Sequence, residues 1–181
     1  MSLKVLLERH GKDRLSPASA GWSEIPLSSQ GREDALAGAR YIKDLIADDG
    51  WPKPTVIYSS TLRRSVETSL IAAKELGVGK IRSIPELRAY DSKKESVAAY
   101  ERRAEAALTA ILASSEPVLA VSHRSFQSFL AQCYFPEGSV DADPSFSHAL
   151  TEEGGVLEIG DKTLKPMFRT VQEHWPLRAW S

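Results

Sequence analysis

Apolar and polar positions along the chain fall into two alternating textures. Short aliphatic or β-branched runs stand at Leu3–Leu7, Thr55–Tyr58, Lys80–Ile84 and Val118–Val121. Their length, and the polar or proline residues that bound them, predict strands. Between them, apolar residues recur at helical spacing. Ala35, Ala39, Ile42 and Ile46 share one face of a helix predicted over Gly31–Asp48, which the Asp49-Gly50-Trp51-Pro52 break closes. Leu62, Val66, Leu70 and Ala73 predict a second buried face over Thr61–Leu76, stopped by Gly77. Ser92-Lys93-Lys94-Glu95 has the form of a capping box, opening a third helix through about Ala113 with Tyr100, Ala104, Ala107 and Ile111 aligned. A fourth helix is expected over Ser125–Tyr134.

Strands alternating with helices predict right-handed crossovers, hence an α/β fold. The expected architecture is a three-layer αβα sandwich on a mostly parallel central sheet. After Asp143 the texture changes. Ser147–Thr151, Val156–Ile159 and Thr163–Lys165 are short runs separated by Glu152-Glu153-Gly154-Gly155 and Gly160-Asp161, which predicts a C-terminal antiparallel edge. No linker or shift in composition divides the chain, so residues 1–181 are expected to form a single domain. Trp175 is expected to cover the core and Trp180 to fray.

Composition narrows the function classes. Apolar residues make up 42% and charged residues 26%, as in soluble globular proteins. The net charge is −1 with both signs interspersed, which argues against nucleic acid or an anionic membrane as partner. One cysteine, Cys133, excludes an internal disulfide, fits a reducing compartment and is read as core. There is no signal-peptide layout at Met1-Ser2-Leu3-Lys4 and no apolar run approaching the ~20 residues of a membrane span. The expected location is cytoplasmic; oligomeric state is left open.

Candidate chemistry begins where the first strand ends, at Arg9-His10-Gly11. Arg64, Glu86 and His123 likewise stand at or just past the ends of the second, third and fourth predicted strands. In an open α/β sheet those ends share one edge, where ligands bind. An imidazole among guanidinium groups is a possible nucleophile beside fixed cations. His148 and His174 have no such company and are read as structural or exposed.

Five segments carry a resemblance: Arg9-His10-Gly11, Trp22 to Gly31, Ser59 to Thr68, Ile84-Pro85-Glu86 and Ser122-His123. Their order and spacing resemble the histidine phosphatase superfamily, also called phosphoglycerate mutase-like, from Leu3 to about Leu130. The resemblance implies a phosphatase that hydrolyses phosphomonoesters through a phosphohistidine on His10, with no cofactor and no metal. It implies that Arg9 and Arg64 grip the phosphoryl oxygens and that His123 adds a further donor. Glu86 is implied as the acid that protonates the leaving alkoxide. Gly11 and Ser16 fall at substrate-binding positions, Ser16 where the family has Asn. Lys12 and Arg124 depart from the family pattern; they either read a second anionic group on the substrate or are solvated cations. Glu8, at a position usually apolar, is expected to pair with a nearby arginine.

Mutases of the family carry a large insertion between the Glu and the second His. Here only Leu87 to Ser122 lie between them, room for one helix and little lid. The resemblance therefore points to a compact phosphatase acting on a phosphorylated small molecule or a phosphoprotein. The alternatives are a protein phosphohistidine phosphatase of the small signalling type and a non-catalytic phosphate-binding member.

Overall fold

The computed structural model describes residues 5–14, 24–134, 156–159 and 164–168. Four strands, β1 (Val5–Arg9), β2 (Val56–Ser59), β3 (Ile81–Ser83) and β4 (Val118–Ser122), run parallel to one another. Two more, β5 (Val156–Ile159) and β6 (Leu164–Phe168), add an antiparallel edge, giving one sheet in the order β3-β2-β4-β1-β5-β6. Every residue of β2 and β4 is buried, because helices cover both faces of the sheet.

The helices are α1 (Ser29–Asp48), α2 (Arg63–Leu76), α3 (Val97–Leu112) and α4 (Arg124–Tyr134). Residue alternation along the strands splits the core in two. Val5, Leu7, Val118 and Ala120 pack with Tyr100, Ala104, Ala107 and Ile111 of α3 and Phe126 and Leu130 of α4. Leu6, Ile57, Leu119 and Val121 pack with Ala39 and Ile42 of α1 and Ala72 and Leu76 of α2. The three-layer αβα sandwich with an antiparallel edge is the observed fold. The run at Ser147–Thr151, the tail tryptophans, His148, His174 and the Cys133 side chain lie outside the described residues.

Two expectations need correction. The first concerns α3, which opens at Val97 and not at Ser92. Ser96 caps it, its hydroxyl accepting from the Ala99 N–H at 3.2 Å. Residues 92–94 form a turn organised by Asp91, which accepts from Lys93, Lys94 and Glu95, while Glu95 pairs with Arg103. The second concerns α2. Its buried face is Arg64, Ser65, Thr68, Ser69, Ala72 and Leu76, and Leu70 is 56% exposed. The first two turns of α2 face a polar site, so apolar periodicity marks the wrong side there.

One close approach positions the site. A Cβ on Gly11 would lie 2.0 Å from the Gly31 carbonyl oxygen, and one on Gly31 would lie 1.9 Å from that of Lys12. Only glycine at both positions lets the turn after β1 sit against the start of α1.

Candidate active site

Strand pairing carries the catalytic candidates to one edge. Beyond the strands proper, the His10 N–H donates to the Ser122 carbonyl at 3.1 Å and the Ser60 N–H to that of Val121 at 3.0 Å. His10, Ser60 and His123 are thereby set side by side, and the two imidazole rings lie 4.9 Å apart at 59°. His10 Nδ1 is 2.7 Å from the Gly11 carbonyl. A carbonyl only accepts, so the proton sits on Nδ1 and Nε2 keeps its lone pair. Arg64 Nε donates to that lone pair at 3.2 Å. Burial, then the Arg64 charge, drives the His10 imidazole down to about 3; Arg9 adds to this and the Gly11 bond opposes it.

His123 is also buried, with Nε2 2.8 Å from Ser60 Oγ and 3.3 Å from Ser65 Oγ. Its Nδ1 has no hydrogen-bond partner. Burial, then His10, Arg64 and Arg9, holds it well below the usual imidazole range. Arg64 sits 3.7 Å from the Asp13 carboxylate. Thr68 ties helix to turn: its hydroxyl accepts from the Gly11 N–H at 3.3 Å and donates to the Arg64 carbonyl at 2.9 Å.

Glu86 lies in a short 3-10 turn, Pro85–Leu87, directly past β3. The turn is anchored at both ends of the site. The Ile84 N–H donates to the Ser59 carbonyl at 2.8 Å and the Ser122 hydroxyl to the Leu87 carbonyl at 3.1 Å. Arg103 Nη1 donates to the Glu86 carbonyl at 2.7 Å and to that of Arg88 at 2.8 Å.

Arg9, His10, Gly11, Arg64, Glu86 and His123 thus share one edge of the sheet. Gly11 acts there through its backbone. Lys12 and Arg124 are exposed beside it, and Arg63 points away, paired with Glu67 at 2.9 Å. Ser16 and Trp22 lie outside the described residues. The expected pairing of Glu8 is absent: its carboxylate is fully buried without a hydrogen bond. Alternation along β1 sends Glu8 to the opposite face from Arg9, with Leu6. Burial therefore raises its pKa well above the ordinary value. Sequence reasoning gave no side-chain role to Asp13, Ser60, Ser65, Thr68 or Arg103, although Ser60, Ser65 and Thr68 lie in the Ser59 to Thr68 segment that carries the resemblance. Thr68, one helical turn past Arg64, was findable from its spacing. Among the described residues no group of three or more His, Cys, Asp or Glu side chains is placed to hold a metal ion.

Residues 5–92 match the histidine phosphatase superfamily (branch 1). Over that stretch, 88 of the 181 residues, the chain is similar to that superfamily. Similar proteins include the 2,3-bisphosphoglycerate-dependent phosphoglycerate mutase of Chlamydia muridarum, 36% identical over 102 residues, or 52% of this chain and 42% of the mutase. The corresponding mutase of Thermobifida fusca is 38% identical over 80 residues, 43% of this chain and 30% of the mutase. The match thus spans less than half the length of these curated relatives.

Solved histidine phosphatase folds superpose more completely. A protein of Agrobacterium tumefaciens named for the phosphohistidine phosphatase SixA gives a TM-score of 0.67 at 20% identity, covering 93% of this chain and 97% of its own. A mycobacterial glucosyl-3-phosphoglycerate phosphatase gives 0.60 at 17% identity, covering 87% and 90%. At such identities the likeness establishes the fold.

Proposed function

We propose that this histidine phosphatase-like chain hydrolyses phosphomonoesters through a phosphohistidine on His10. The observation that carries the reading is the state of His10: buried, unprotonated at Nε2, and facing the Arg64 guanidinium. In the first step Nε2 forms a bond to phosphorus while the bond to the leaving oxygen breaks. Glu86 gives its proton to that oxygen. Arg9, Arg64 and the unpartnered Nδ1 of His123 bind the phosphoryl oxygens as charge shifts in the transition state. Water then attacks phosphorus, Glu86 takes its proton, the N–P bond breaks, and inorganic phosphate leaves. The cations supply the charge stabilisation, so no metal is invoked. The lone cysteine fits a reducing compartment, which supports a cytoplasmic reading.

The test is hydrolysis of para-nitrophenyl phosphate with chelator present. Activity lost in His10→Ala supports the reading; no activity in the wild type sinks it in favour of a non-catalytic phosphate binder. Glu86→Gln should abolish hydrolysis of an alkyl phosphate and spare an aryl phosphate, whose leaving group needs no proton. Lys12→Ala and Arg124→Ala are compared on singly and doubly charged esters, and loss confined to the latter assigns these cations to a second anionic group.

A second reading, a protein phosphohistidine phosphatase, is favoured by the near-complete mutual coverage with the Agrobacterium protein. It predicts that Glu86→Gln is indifferent on both esters while a phosphohistidine protein is still dephosphorylated.

A further inference from the structure

A cavity of about 370 Å³ lies between α3 and α4, and the reaction described above leaves it unused. Among the described residues it is bounded by the rings of Tyr90, Tyr100 and Phe129, with Ser125, Ser128 and Arg124. Its volume is that of a small-molecule site, and an apolar wall with a few hydroxyls is the usual lining of one.

Its position relative to the chemistry follows from the chain. Tyr90 is four residues past Glu86, and Arg124 directly follows His123. The intervening backbone is laced down: Ser122 Oγ holds the Leu87 carbonyl at 3.1 Å and Ser125 Oγ accepts from the Tyr90 N–H at 3.1 Å. Arg103 binds the Glu86 carbonyl and stands 5.0 Å above the Tyr100 ring. The segment that carries the acid therefore continues into the cavity wall. An acid protonates the leaving oxygen, so the group that departs lies on the side of Glu86, the side from which the chain runs on to the Tyr90 wall.

The lining also indicates what enters. Tyr90 and Tyr100 pack with centroids 5.4 Å apart, and Tyr100 meets Phe129 edge-on at 6.4 Å, making one continuous aromatic wall. Val97, also on the lining, is 57% exposed, an apolar surface left open to solvent. Glu101 and Arg124 contribute one charge of each sign, so the lining as a whole favours no net charge on its occupant.

We propose that the cavity is the leaving-group site and selects phosphomonoesters of an uncharged alcohol with a ring-sized apolar body. The proposal rests on the phosphatase reading of the His10 site, and binding measurements separate the two. Isothermal titration compares 1-naphthylmethylphosphonate with methylphosphonate, neither of which can be turned over by P–O cleavage. The wild type is expected to bind the naphthyl compound at least about tenfold more tightly. Ser128→Trp, which fills the cavity, should erase that preference and leave methylphosphonate unchanged; Ser128→Leu is the milder variant if the first does not fold. Equal affinities in the wild type, or a preference that survives a folded filling variant, overturns the proposal. If neither phosphonate nor inorganic phosphate binds, the phosphate cage itself is refuted and the proposal falls with it.

Discussion

His10 differs from an ordinary surface histidine because burial and the neighbouring cations penalise a proton on Nε2. Burial and the Arg64 and Arg9 charges lower its pKa to about 3, whereas an unfolded chain protonates it near 6.5. The folded state therefore binds the imidazole proton less well than the unfolded one. The stability this contributes is present above pH 6.5 and is lost as pH falls from there through about 3. NMR titration of the His10 ring should show no transition between pH 8 and 5; a midpoint near 6.5 would contradict the geometry. Arg64→Ala should raise that midpoint and lower kcat/KM by about 10²–10³-fold, as for loss of a preorganised donor. Glu8 has the opposite sign. Its folded pKa lies above the unfolded value, so stability falls as pH rises from about 4.5 towards the folded pKa. Glu8→Met, similar in volume and uncharged, should melt at higher temperature than the wild type at pH 8. The difference should close towards pH 4.5, and a constant difference across that range would assign the effect to packing instead.

At the scale of elements, the caps and faces carry the physics that periodicity alone leaves out. Ser96→Ala should cost about 1 kcal/mol, because it removes the acceptor for the Ala99 N–H. Ser92→Ala, in the preceding turn, should change stability by less than about 0.5 kcal/mol. Urea titration of the two variants checks this, and the reverse order would restore the capping box at Ser92. Strands were legible because both-side burial makes them continuous apolar runs, as at Val118–Val121. The α3 face was legible too, since Tyr100, Ala104, Ala107 and Ile111 all lie in the apolar core. The α2 face was not, because a helix that presents Arg64, Ser65 and Thr68 to a polar site breaks the rule that buried means apolar. The same cause hid Ser60 and Ser65. Hydroxyls that orient His123 have no sequence signature apart from their neighbours. Glu8 was misread for a different reason: a carboxylate among arginines suggested a pair, whereas strand alternation sends it to the face it shares with Leu6.

Across the whole molecule, the site exists only because parallel strands deliver their C-terminal ends to one edge, with Arg9 in register with Ser122 and Ser59 with Val121. On the proposed mechanism, that topology leaves a phosphorylated His10 a choice of acceptor. A mutase must hold its departing sugar acid and exclude water until the phosphoryl group is returned. Between Glu86 and His123 the chain here holds the end of a 3-10 turn, α3 and β4, joined by residues 88–96 and 113–117. Both α3 and β4 are committed to the core through Tyr100, Ala104, Ala107, Ile111, Val118 and Ala120. The connections left over, residues 88–96 and 113–117, are short, so on the proposed mechanism water should reach the phosphohistidine. Water at its bulk concentration then outcompetes an alcohol held only by an open cavity. Turnover of an aryl phosphate in ~1 M glycerol, followed by 31P NMR, should release inorganic phosphate with less than about a tenth of the phosphoryl groups on glycerol. Glycerol phosphate as the main product would mean that an acceptor is positioned against His10, and would move this chain from the phosphatase reading to that of a transferase like the mutases it resembles.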